Sequence, residues 1–255
     1  MKWPVLGVLA AIAITTAMDA VGMSAFSALP LLPLMLLFWR LQRLPRRAIG
    51  FAWGRGGHYA LAVLHPIAVL GTLTLVTFAA GAAEVSGTRW DKAGLNVLIV
   101  ALATFLAAIV TEEGFFRGWL FASLERSGRS KRSAVAWSSV AFALWHLSAV
   151  TLADEFRLPP SQIGVFMANA MVLGLVWGVL RAWSGSIIVA SVAHGLWNGI
   201  AYVGFGVGGR TGALGVRDTA FYGPESGLLG LALNAAFAVI LWQVWSRRPR
   251  PPAGQ

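Results

Sequence analysis

The feature that most constrains this chain is a series of apolar stretches at about 3–39, 60–83, 95–124, 133–150, 163–180, 186–206 and 227–245. A helix rising about 1.5 Å per residue crosses the hydrocarbon of a bilayer in about 20 residues. Each stretch after the first is close to that length or longer. The chain is 57% hydrophobic and 12% charged, with a mean hydropathy of +0.70, against about 45–50% and about 25% for soluble domains. A water-soluble fold of 255 residues could not hide that much apolar surface. The expected fold is all-α, a polytopic transmembrane bundle of about eight helices, with a range of seven to eight.

The range comes from the first stretch, which is too long for one span. Asp19, Gly22, Pro30 and Pro33 interrupt it, so it reads as two short spans or as a span plus an interfacial helix. The sequence SAFSA at 24–28 has small residues of the kind found at signal-peptide cleavage sites, but the apolar stretch runs on to Trp39, well past a signal h-region. The expectation is therefore a single transmembrane domain over 1–246, followed by a basic, Pro-rich cytoplasmic tail at 247–255.

Charge placement supports this count. With Lys2 and Arg117 set aside, one side holds Arg40, Arg43, Arg46, Arg47, Arg55, Arg126, Arg129, Lys131, Arg132, Arg181, Arg247, Arg248 and Arg250. The other holds Arg89, Lys92, Arg157, Arg210 and Arg217. Excess Lys and Arg marks the cytoplasmic side, so the C-terminus is expected there. The expected location is a multi-pass protein of a bacterial-type plasma membrane. The net charge of +10 sits in short clusters between apolar runs, the pattern of topology and anionic-lipid signals. It argues for membrane lipids as partners and against nucleic acid. With no cysteine in the chain, a disulfide framework, a thiolate metal site and a Cys nucleophile are excluded.

Charged groups within the membrane cost about 2.5–3.5 kcal/mol each on insertion scales and mark functional sites. Three segments carry polar groups. In TEEGFFRGWL at 111–120, Glu113 and Arg117 are four residues apart, with the acid N-terminal as an ion pair prefers. Glu112 is left without a partner and is suited to proton transfer. In FALWHL at 142–147, His146 follows Phe142 by one turn; in HGLWNG at 194–199, His194 and Asn198 share a face, and Gly195 and Gly199 allow close helix approach. Taken singly, each has an ordinary explanation: a salt bridge, a satisfied core histidine, an interhelical hydrogen bond. Depth sets them apart. Glu112 lies about 18 Å from its basic helix end, His146 about 20 Å, and His194 and Asn198 about 12–18 Å. Independent structural pairs have no reason to share a level in the bilayer; a common site requires it.

EExxxR, FxxxH and HxxxN on successive helices, here Glu112-Glu113-xxx-Arg117, Phe142-xxx-His146 and His194-xxx-Asn198, resemble the motifs of the CPBP intramembrane proteases, also called the Abi or type II CAAX prenyl protease family. The resemblance covers about 95–206. It implies peptide-bond hydrolysis in a membrane cavity open to the cytoplasm, with a membrane-anchored peptide or protein, such as a prenylated CAAX-like tail, as substrate partner. It further implies Glu112 as general base with His146 holding the water, His194 and Asn198 stabilising the oxyanion, and Arg117 orienting Glu113. No cofactor is certain. Zinc is an alternative, with Glu112, His146 and His194 as ligands and an open position for water, although the chain has no HExxH.

The remaining polar residues are expected to be structural: His58 and His65 interfacial, Asn169 and Asn234 in interhelical hydrogen bonds, Asp19 at a turn, and the twelve Trp mostly at the interfaces. Two other functions compete with the protease. One is a non-catalytic scaffold or bacteriocin-immunity-type protein; the other is a proton-coupled transporter, which no inverted repeat supports.

Overall fold

The computed structural model describes residues 2–247, so the tail read at 247–255 lies, from residue 248, outside the described residues. Eight helices among them are long and apolar enough to cross a membrane. The first apolar stretch forms two of these spans, α1 (Lys2–Ala20) and Ser24–Gln42, the second made of a 3₁₀ segment at Ser24–Phe26, a turn and α2 (Leu31–Gln42). Gly22, at φ +77°, begins the reversal, a left-handed conformation that glycine adopts without penalty. Asp19 does precede this turn, and its buried carboxylate also accepts a hydrogen bond from Ser148 Oγ at 2.6 Å. The hairpin is thereby tied to the middle of the chain.

The others are built on α3 (Gly56–Ala79), α4 (Trp90–Val110), α5 (Lys131–Trp145), α6 (Pro160–Ser184), α7 (Ile187–Ile200) and α8 (Leu228–Ser246), the spans of α4, α5 and α7 running on to Arg126, Thr151 and Phe205. Ser130 and Ser186 cap α5 and α7 by accepting hydrogen bonds from the first-turn N–H groups. Two helices widen into π-helical turns: α4 through Glu113–Leu120 before resuming at Phe121–Arg126, and α7 through Ala201–Phe205. After α7 comes a small antiparallel hairpin, β1 (Gly206–Val207) with β2 (Arg210–Thr211), in the register Gly206 to Thr211.

Lipid and protein contacts divide the helix surfaces. Leu95, Leu98, Ile99, Leu102 and Leu106 of α4 are exposed, as a lipid-facing stripe should be. Behind them α7 packs against α4 almost backbone to backbone: a Cβ on Gly195 would lie 2.6 Å from Ala101 O, and one on Gly199 would lie 2.7 Å from Val97 O. Small residues permit this approach where lipid supplies no hydrophobic drive for association. Trp119, Trp145, Trp177 and Trp197 are buried in the core rather than placed at an interface.

The loops gather at two ends. At one, Arg126 donates to Arg43 O, Arg132 to Ser246 O, Arg181 to Ala48 O, and Ile187 N to Gly50 O. At the other, the 80–89 loop joins 210–217 through Glu84 N to Leu214 O, Arg217 N to Ala82 O and a 2.7 Å ion pair between Arg217 and Glu84.

Candidate active site

The π-helical turn presents the two acids of the first motif in different directions. Glu113 points inward and is fully buried; its Oε1 accepts from Arg117 Nη1 at 3.1 Å and lies 3.1 Å from His194 Nδ1. Arg117 is also fully buried, stacked over Phe142 at 4.1 Å and close to Trp177. The two motifs are thus physically joined, since the Phe of FxxxH is the platform for the Arg of EExxxR. Glu112, one residue earlier, keeps some exposure. Its Oε2 stands 3.9 Å from His146 Nε2 and 4.0 Å from His194 Nε2.

Both imidazoles are oriented from behind. His146 Nδ1 is 2.9 Å from Phe142 O, and a carbonyl only accepts, so Nδ1 carries the proton. His194 Nδ1 donates in the same way to the Glu113 carboxylate. In each neutral ring the bare Nε2 therefore faces Glu112. Trp177 stacks on His194 at 4.1 Å, and Phe142 and Trp145 lie edge-on to His146. Asn198 lines a narrow recess together with His146, His194, Tyr202 and Glu225. The structure thus links Glu112, Glu113, Arg117, His146 and His194 in one connected cluster, with Asn198 on the same recess.

That recess adjoins a cavity of about 510 Å³ which reaches Glu112 and His146. Its walls toward the surface come from Ser24–Ala28, Phe156–Gln162, the β1–β2 hairpin and Gly223–Ser226. All of these belong to the end opposite the arginine-rich loops. The sequence reading paired a cytoplasmic basic end with a cytoplasmic mouth; in this structure the mouth and the basic loops are at opposite ends, so those two expectations cannot both hold.

Sequence reasoning passed over one acid. Glu225 accepts a hydrogen bond from Trp197 Nε1 at 2.8 Å and lines both cavity and recess. Burial holds its carboxyl above the ordinary carboxylate range, partly offset by the Trp197 hydrogen bond, with the Glu112 charge adding to the rise. Its turn is fixed by Asn169, whose Nδ2 donates to Pro224 O and Glu225 O, and whose Oδ1 accepts from Asn234. The expected interhelical role of the two asparagines is what the structure shows. His65 is a correction. It is fully buried, 3.1 Å from Asn234 Oδ1 and stacked on Trp197, rather than interfacial.

Residues 94–200 match the family described as type II CAAX prenyl endopeptidase, Rce1-like. Over that segment the chain is similar to this CAAX prenyl protease-like family, and the similarity supports a CAAX-type intramembrane protease in general terms. The matched segment contains all three motifs, while Tyr202, Glu225 and the mouth-lining hairpin lie beyond it. No curated protein matches the chain.

Proposed function

We propose that the protein is an intramembrane endopeptidase that uses Glu112 to activate water against a peptide bond of a membrane-associated substrate. The single observation that carries this reading is the convergence of two oriented Nε2 atoms on one Glu112 oxygen, at 3.9 and 4.0 Å. These separations are too long for direct hydrogen bonds and suit a water held among the three groups. Glu112 takes the proton as the water oxygen attacks the scissile carbonyl carbon, and returns it to the departing amine as the C–N bond breaks. With one O–H directed to Glu112, the bare His146 Nε2 accepts the water's other O–H and fixes its direction. The Asn198 amide is the donor for the developing oxyanion, for which preorganised buried donors are effective. His194 shares that task only when doubly protonated, because its Nδ1 proton is committed to Glu113.

Arg117 and Glu113 act from behind as positioning residues. Their buried pair holds His194 and, through Phe142, the ring beside His146. Cleavage of a prenylated CAAX-like tail is the substrate reading that the family name suggests. Glu112→Ala should lower turnover by roughly 10²–10⁴-fold while leaving a folded protein; normal cleavage by that variant in a panel of lipidated and transmembrane peptides overturns the assignment.

A metal-dependent form of the reading rests on the imidazoles, since Nδ1 held from behind and a free Nε2 are what metal-binding histidines show. The spacing fits poorly. Adjacent ligands of tetrahedral zinc, with bonds of about 2.0–2.1 Å, stand about 3.3 Å apart, and among the described residues no group of three His, Asp or Glu is placed to hold a metal ion. The steps above therefore involve no metal. Purified protein with measured metal content, assayed after exhaustive chelation, decides between the two forms.

A further inference from the structure

The cavity mouth and the basic loops occupy opposite ends of the bundle, and their charges differ in kind. Around the arginine-rich end, Arg40, Arg43, Arg46, Arg47, Arg126, Arg129, Lys131 and Arg132 are accompanied by one acid, Glu125. At the mouth end Arg89, Arg157 and Arg217 are each paired with an acid: Asp91, Asp154 and Glu84, at 2.7, 2.9 and 2.7 Å. Insertion retains unbalanced Lys and Arg in the cytoplasm. The path from the site toward the basic end is also filled. Beyond Arg117 come Trp119, Leu120 and Phe121, all buried, with Gln42 bridging Trp119 Nε1 and Ser123 Oγ. Arg181 closes over Arg117 O and Ala48 O.

We infer that the catalytic chamber opens on the extracytoplasmic side. Its substrate class is then a peptide segment reaching the membrane from that side, in a secreted or membrane-anchored polypeptide, and not a cytosolic prenylated tail. The substrate half rests on the protease reading above; the orientation does not.

The chain contains no cysteine, so single-cysteine variants report orientation without background. Gly209→Cys and Asp154→Cys place a thiol at the mouth end, and Ala52→Cys and Arg129→Cys at the basic end, all at exposed positions. In intact cells a membrane-impermeant maleimide should label the first two, and should reach the second two only after permeabilisation. Labelling of the basic-end pair in intact cells overturns the inference. A second measurement uses one reporter peptide tethered to a membrane anchor on either face and co-expressed with the enzyme. The outer reporter should be cleaved, and Glu112→Ala should abolish the cut. Cleavage of the inner reporter overturns the inference. Cleavage of neither, with labelling as expected, upholds the orientation and removes the protease reading.

Discussion

The two ends of this bundle use arginine in opposite ways. At the basic end guanidinium groups donate to main-chain carbonyls: Arg181 to Arg117 O and Ala48 O, Arg126 to Arg43 O, Arg132 to Ser246 O. The Ala48, Arg43 and Ser246 carbonyls are at helix C-termini, where such groups lack intrahelical partners and carry partial negative charge, so a cation there closes the helix ends; Arg117 O lies within the π-helical turn, which Arg181 ties to Ala48. At the mouth end the arginines pair with carboxylates on exposed loops, where ion pairs contribute little to stability, and the loops between helices are longer. One end is sealed by helix termini. The other is a set of loops around a cavity, open enough to admit a chain. The difference teaches that access to a buried site can be set by where the unsatisfied backbone groups are covered.

The variants that break this contrast most severely lie at the seam between the ends. Arg117→Met leaves Glu113 charged in the core without its cation, held only by the His194 N–H, and should cost about 3–5 kcal/mol, read as loss of folded protein in detergent. Adding Glu113→Gln should recover much of that stability without recovering cleavage, because His194 loses the carboxylate behind it. Gly199→Leu forces α7 away from the α4 backbone; overpacking of this kind costs about 1–3 kcal/mol, and thermal melting should fall while mouth accessibility is unchanged. Trp197→Phe removes the N–H held by Glu225 together with part of a fully buried indole stacked on His65. The lost hydrogen bond, about 1 kcal/mol, predicts a roughly fivefold drop in turnover, and the smaller ring also lowers melting. Glu84→Gln, on the exposed strap between the mouth loops, has the smallest effect. Hydrogen bonds from Ser86 and Arg217 hold the Glu84 carboxyl below its usual range. A lowered folded-state pKa stabilises above the unfolded value and ceases to do so as pH falls through the folded one. The difference in melting between wild type and variant should therefore be present at neutral pH and vanish in acid.

Much of this was legible in the chain. Apolar run lengths gave eight helices once Asp19, Gly22 and the two prolines split the first run, and equal depth brought Glu112, His146 and His194 to one level. What the sequence hid was partnership across long separations. His65 reads as interfacial because its acceptor, Asn234, is on another helix far along the chain. Glu225 sits in FYGPES, which as a string is an ordinary surface turn; only the Asn169 clamp and the Trp197 N–H turn it inward. Four tryptophans left the interface for the core because indole rings fill the space around the Arg117 pair and the imidazoles as well as they anchor a bilayer boundary. The side from which the cavity opens depends on which loops line it, and no hydropathy profile contains that.

The widened turn at Glu113–Leu120 makes the core unusually intolerant of a change in length. A π-helical turn accommodates an extra residue relative to ordinary winding. A one-residue deletion within it can let the flanks keep their register by a return to ordinary winding, at the cost of the spacing between Glu113 and Arg117, whereas the same deletion in the flanking α-helical turns swings everything after it by about 100°. In the first case the acid and the guanidinium face different neighbours while the half of the helix toward the basic end keeps its own. Substitutions along the lipid stripe of α4 are cheap by comparison.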